Sequence, residues 1–275
     1  MLATGKNKAY HSLSLSIRLR TDGFSFFVCD LQAGTLMRGE HFTLSEGETL
    51  PAKLAIELSR SDYFNRQINQ AFVMSDAPST IVPLENFRRD EVTQLYAYIH
   101  GQQTKKQRVA YTIMPHLEAV ELFAIDSEVE DAIVQYYPTA RFFGSQAMLI
   151  ERLARYTAEE ASVSGHRLFC YSTSDAVTLV AAEQSQLLFV NTYAIANLAD
   201  AVYFILGAWK QLALDACEDT FVMLGQQPDN ALCQELAAYI ANITALQPGQ
   251  LFSDMPLSHE QQVPLQLMAL LLNRF

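Results

Sequence analysis

Residues Arg167 to Leu212 read RLFCYSTSDAVTLVAAEQSQLLFVNTYAIANLADAVYFILGAWKQL, and this stretch decides the fold. It opens with a run rich in β-formers, Leu168–Ser172, and turns at Asp175. Two more strand-like runs follow, Val177–Ala182 and Leu187–Ile195, and a helix closes the unit. Asn197 stands as its N-cap, and Leu198, Val202, Ile205, Trp209 and Leu212 recur at intervals of 4, 3, 4 and 3. That spacing lays one apolar stripe along a helix.

Working outward, Ser14 to Arg60 has the same plan. Leu15–Arg20 leads to a turn at Asp22, then come Phe24–Leu31, Met37–Leu44 and a helix-like segment in which Leu50, Leu54 and Leu58 form the stripe. A shift of 153 positions lays Asp22 on Asp175 and Ser25 on Thr178, each a single hydroxyl bracketed by apolar and small residues. After one deleted residue, Leu36-Met37-Arg38 falls on Leu188-Phe189-Val190, and Phe72-Val73-Met74 recurs as Phe221-Val222-Met223. A period this long indicates a duplicated domain; solenoid repeats are much shorter.

The 275 residues suffice for a sizeable core, and 50% hydrophobic with 18% charged residues places the chain among globular proteins. A net charge of −11 argues against nucleic acid or an anionic membrane as partner. The short basic cluster Lys105-Lys106-Gln107-Arg108 reads as a solvated loop. Cys29, Cys170, Cys217 and Cys233 form no C-x-x-C pair, which fits a reducing cytoplasm. Met1–His11 is too polar for a signal peptide and Val263–Leu272 too short to span a bilayer, so no direct membrane insertion is expected.

Between the repeats, Thr80–Pro83, Val109–Met114 and Ala119–Ile125 read as strands. Arg88–His100 reads as a helix with Val92, Leu95, Tyr96 and Ile99 on one face. Ser127 and Glu130 form a capping-box pattern, and Ser145–Glu160 reads as a further helix. Ala161–Gly165 is the best interior linker. Asn230 opens a helix carrying Leu232, Leu236, Tyr239 and Ile243, and a last helix runs from about Val263 to Asn273. Glu118, Glu121, Glu128, Glu130 and Glu159-Glu160 read as solvated acids.

A three-strand meander, a helix and a strand, present twice, resemble the duplicated ribonuclease-H-like fold shared by hexokinases, heat-shock chaperones and actin. More specifically, Thr80–Phe87 (TIVPLENF), the helix and strand pair after it, and Tyr137-Pro138 resemble a bacterial family with an actin-like ATPase fold and no assigned function. In shape such proteins are similar to the actin-like proteins of type IV pilus and type II secretion systems. The resemblance implies an α/β architecture of mixed sheets. Residues 1–160 would form a first half with an inserted α/β segment at about 80–126, and residues 161–275 a second half.

In active members of that group, ATP lies between the halves, held by one hairpin from each and by carboxylates that position Mg²⁺. Convergent backbone donors bind phosphate, and glycine lets the chain approach it. The candidate positions here are Asp22 and Gly23 in the first hairpin, Ser172, Thr173, Ser174 and Asp175 in the second, and Gly225 at the adenosine position. Each departs from the pattern. The first hairpin has its aspartate directly before the glycine and Phe24 after it, the second has no glycine, and Met223-Leu224-Gly225-Gln226-Gln227 has one glycine where two are expected. Each also has a plainer reading as a turn or loop residue.

The six histidines show no paired metal spacing, and no P-loop, G-x-S-x-G or G-x-G-x-x-G is present. The expectation is therefore a non-catalytic scaffold or adaptor with a degraded nucleotide site, no cofactor and an unidentified protein partner. The alternative is an ATP–Mg²⁺-binding protein or phosphotransferase with divergent loops, which a cleft filled by Phe24 and Tyr171 would oppose. A third reading makes the segment Thr80–Ile125 a partner-binding module.

Overall fold

The computed structural model describes residues 13–30, 32–60, 68, 70–101, 106–159, 165–183, 186–225, 230–253 and 263–272. Alternation in β1 (Leu13–Arg20) sets the geometry of the first half. Leu15, Ile17 and Leu19 point to one face and Ser14, Ser16, Arg18 and Arg20 to the other, as the two-residue period of a strand requires. β1 pairs antiparallel with β2 (Gly23–Asp30), which pairs antiparallel with β3 (Thr35–Thr43). On its other side β1 runs parallel to β4 (Gln70–Ser75), and β4 parallel to β8 (Arg141–Gly144). The order is β3-β2-β1-β4-β8.

The second half repeats it. β9 (Arg167–Ser172), β10 (Ala176–Glu183), β11 (Gln186–Ala194), β12 (Thr220–Leu224) and β13 (Asn242–Leu246) are ordered β11-β10-β9-β12-β13, with the same parallel and antiparallel pairings. In each half helices cover the outer face. Helix α1 (Leu50–Arg60) presents Leu54 and Leu58 to Leu15, Ile17, Phe24 and Phe26. Two more helices, α5 (Leu198–Gln211) and α6 (Ala231–Leu236), do the same in the second half, where Ile205 and Trp209 meet Leu168, Val177 and Phe221.

A third, antiparallel sheet lies in the chain between β4 and α3 (Ser127–Tyr136). It consists of β5 (Ser79–Pro83), β6 (Gln107–Met114) and β7 (Ala119–Asp126) in the order β5-β7-β6. Helix α2 (Val92–His100) packs on it, with Phe87, Val92, Tyr96, Val120 and Leu122 forming a small core.

Between the halves runs α4 (Ala147–Glu159), buried continuously from Ala147 to Ala154. One core gathers around it. Phe27, Cys29, Phe72 and Met74 come from the first sheet, Met114 and Leu117 from the inserted segment, and Phe169, Val180 and Val222 from the second sheet. Helices α7 (Pro248–Leu251) and α8 (Leu265–Leu272) complete it. Arg152 Nε donates to the Leu251 carbonyl at 2.8 Å, tying α4 to α7. Cys29, Cys170 and Cys233 are buried and form no disulfide, and burial pushes Cys29 up to about 12.

The structure revises several expectations. The Phe-Val-Met identity is a coincidence of composition, not of position. Ile17 pairs with Val73, whereas Cys170, its counterpart at the 153-residue shift, pairs with Met223. The tripeptides are therefore one residue out of register, and a one-residue slip reverses every side chain. Phe72 faces the core between the halves, and Phe221 faces the outer core. Along β3 the lost residues number two, not one: Cys29 pairs with Leu36 and Ala182 with Leu187. The N-cap of α3 is Asp126, whose carboxylate accepts from the Glu128 and Val129 amides, rather than Ser127. The helix opened by Asn230 stops at Leu236, and Ile243 belongs to strand β13. Arg108 lies in β6 and pairs with Glu130, and Lys106 pairs with Glu128. Residues 161–164 of the expected linker, Lys105, Gln226-Gln227, Asn273 and Met1–His11 lie outside the described residues.

Glu121 is the largest correction. It is fully buried in the central strand of the inserted sheet, and its Oε2 accepts the Ala147 amide at 2.9 Å, at the start of α4. A carboxylate there meets unsatisfied amides and the positive end of the helix dipole. Gly144 makes room for it, since a Cβ at that position would collide with the carboxylate. Desolvation nonetheless raises the Glu121 pKa from 4.5 to about 7, opposed by hydrogen bonds from Ser79, Ala147 and Gln146.

Between pH 4.5 and 7 the native state therefore holds a proton that the unfolded chain has released. Stability from this site is full below pH 4.5 and falls as pH rises to about 7, by roughly 3 kcal/mol in all. In Glu121→Gln that component of the pH dependence disappears, which denaturant unfolding across this range measures directly.

Candidate functional site

The two hairpins occupy equivalent places and repeat each other's bonds. The Leu44 amide donates to the Asp22 carbonyl at 2.9 Å, and the Ile195 amide to the Asp175 carbonyl at 2.9 Å. Ser25 Oγ bonds His41 Nδ1 across β2 and β3 at 2.8 Å, and Thr178 Oγ1 bonds Thr192 Oγ1 across β10 and β11 at 2.9 Å. The hydroxyl common to both repeats is thus a cross-strand bonding group. Gln146 Nε2 donates to Thr192 Oγ1 at 2.9 Å, so the residue before α4 reaches from the first half to the second.

In the first hairpin Asp22 is exposed, and its Oδ2 accepts from Arg20 at 2.9 Å. Arg20 and Arg18 are the last residues of β1 on the inner face, and Arg18 Nε donates to Asp76 Oδ2 at 2.8 Å. At this end the inner face of β1 carries two guanidinium groups, each already paired with a carboxylate. Gly23 has a structural reason of its own. With φ +155°, it sits against β3, and a Cβ would collide with the Phe42 carbonyl oxygen.

The second hairpin closes on itself. Thr173 Oγ1 donates to Asp175 Oδ1 at 2.8 Å and accepts the Ala176 amide at 3.1 Å. Ser172 Oγ donates to the Thr173 carbonyl at 3.3 Å, and Ser174 is exposed at the turn. Gly225 has φ +67° and donates its amide to the Leu246 carbonyl at 3.0 Å. Gly225 is exposed, with the Leu265 Cδ1 of α8 beside it, 3.6 Å from where a Cβ would stand.

Tyr171 and Thr178, behind the second hairpin, meet Gln146, Leu224 and Gln266 around a cavity of only about 10 Å³. Phe24 takes no part in filling the space between the halves. It packs in the outer core, stacked on Phe42 at 4.9 Å. Among the described residues no group of three His, Cys, Asp or Glu side chains can hold a metal ion. Asp22 and Asp175 each bond within their own hairpin.

Two features escaped the sequence reading. Asp76 follows β4 directly and carries a buried, unpartnered Oδ1, but as a lone acid after a strand it reads as a turn residue. Glu121 had a signal, a single charge inside the apolar run Ala119–Ile125.

Gly23→Ala is expected to destabilise the protein by roughly 2–4 kcal/mol, with or without nucleotide, through the clash with Phe42. A denaturation midpoint unchanged from wild type would show that β3 can yield.

Several solved structures share this architecture. A protein from Bacteroides thetaiotaomicron VPI-5482, described as having an actin-like ATPase fold and unknown function, matches with a TM-score of 0.79 at 24% identity, covering 98% of this chain and 99% of that one. A chain of the PilM–PilN type IV pilus biogenesis complex matches with a TM-score of 0.58 at 12% identity, over 94% and 97% of the two chains. No curated protein matches the chain, and no helix among the described residues is long and apolar enough to cross a membrane. The chain has the actin-like ATPase fold, and residues 4–243 match the family described as protein of unknown function DUF3822, to which it belongs.

Proposed function

We propose that the protein is a non-catalytic scaffold or adaptor that uses the actin-like fold to hold a protein partner. The observation that carries this reading is the state of the two hairpins. Their acids and hydroxyls bond to neighbours in the same hairpin or strand pair, and the Gly225 amide is engaged by the Leu246 carbonyl. These groups fit magnesium–ATP poorly. Phosphate binding needs convergent, unengaged donors, and a metal needs carboxylates free to hold its water shell. The two arginines on the inner face of β1 are engaged as well, Arg18 with Asp76 and Arg20 with Asp22.

Use of this fold for protein binding has a parallel in the PilM–PilN complex, though similarity at that level concerns fold alone. The inserted segment adds support, because Tyr98 is 89% and Ile99 52% exposed on α2. Neighbouring exposed apolar side chains are a common mark of contact surfaces.

The test is a thermal melt with and without millimolar Mg²⁺–ATP. A ligand at 100 times its Kd adds about 2.7 kcal/mol, and each kcal/mol moves the midpoint of a protein this size by roughly 2–4 °C. No shift is expected. A rise of several degrees that Asp22→Ala and Asp175→Ala both abolish would replace this reading with the ATP-binding alternative.

A further inference from the structure

A broad opening lies away from both of these hairpins. It is a groove of about 1130 Å³ between the tip of the inserted sheet and the β10–β11 hairpin. One wall is Ile81, Val82 and Pro83 of β5 with the Pro115–Ala119 turn, and the other is Gln186–Val190 of β11. Three properties of these walls point to one kind of occupant.

The first is an open strand edge. β11 is the outermost strand of its sheet, so one side of its backbone has no strand partner among the described residues. A strand edge is a template for adding another strand. The second is apolar surface at that edge. Ala181 pairs with Phe189 and Ala182 with Leu187, which leaves Leu188 as the extra residue of a β-bulge, 41% exposed. The third is charge. Glu85, Glu118 and Glu183 are exposed on the rim, and no lysine or arginine is among the described residues that line the groove. His116 adds a buried ring Nε2 without a hydrogen-bond partner in the wall.

We propose that this groove receives an extended, basic segment of a partner protein, which adds as a strand to the edge of β11. Its alternate side chains would divide between the two environments, as a strand's two-residue period demands. Apolar ones rest on Leu188, Ile81 and Pro83, and lysine or arginine residues reach Glu118, Glu183 and Glu85. The net charge of −11 steers such a segment toward the protein. This proposal rests on the scaffold reading and names the chemistry of the partner.

The test uses the full chain and two fluorescein-labelled synthetic peptides of equal length, one alternating valine with lysine, the other valine with glutamate. By fluorescence anisotropy the lysine peptide is expected to bind saturably and the glutamate peptide not at all. Glu118→Lys with Glu183→Lys should weaken binding about tenfold or more, whereas Glu235→Lys, on α6 outside the groove, should leave it unchanged. Because Glu183 lies 3.9 Å from His166, Leu188→Asp serves as an independent variant and should also weaken binding. Amide exchange should slow at Leu187–Val190 when the lysine peptide is bound. No binding, equal binding of both peptides, or binding indifferent to the groove variants would overturn the proposal. The ATP melt reads the hairpins, so either result can fail without the other.

Discussion

The structure depends on one apolar core that belongs to neither half. Helix α4 contributes Met148, Leu149, Ile150 and Leu153, and α8 contributes Leu267, Met268, Leu270 and Leu271, while both sheets turn residues toward them. Burial of this kind is the main stabilising contribution in a folded chain. Here it also decides what the duplicated fold can do. Gln146 and Arg152 fasten the same helix to the second half by directional bonds, so packing and polar contacts fix one arrangement together.

The architecture was legible because its signals are periodic. Alternation in β1, the interval of the α5 stripe, and the caps at Asn197 and Asn230 each follow from local chemistry, and the structure repeats them. Positions proved harder than elements. Phe72-Val73-Met74 and Phe221-Val222-Met223 lie in corresponding strands yet face opposite ways. Apolar strands buried on both faces tolerate the same residues in either register, so sequence identity there carries little positional information. Ser25 and Thr178 marked true equivalence, because each meets a polar partner directly opposite.

The candidate site was legible as a departure from pattern, not as a mechanism. Asp22-Gly23 reads as a turn in the sequence, and the collision awaiting any Cβ at Gly23 gives that turn a steric cause. Leu265 lies 40 residues beyond Gly225 in the numbering, and nothing local announces that it comes to stand beside that glycine. Glu121 shows the same limit. Its environment is assembled from Ser79, Gly144 and Ala147, which only the fold brings together.

The shared core also sets the mechanical character of the molecule. A two-lobed protein that works as a clamp needs lobes whose facing surfaces tolerate water. In this chain Phe27, Phe72, Phe169 and Val180 meet in a single packed layer with α4 and α8. Each 100 Å² of such surface bared on opening would cost about 2.5 kcal/mol. Burial of this surface opposes separation of the two lobes, and a segment seated beside β11 would meet a strand already held on its other side by β10.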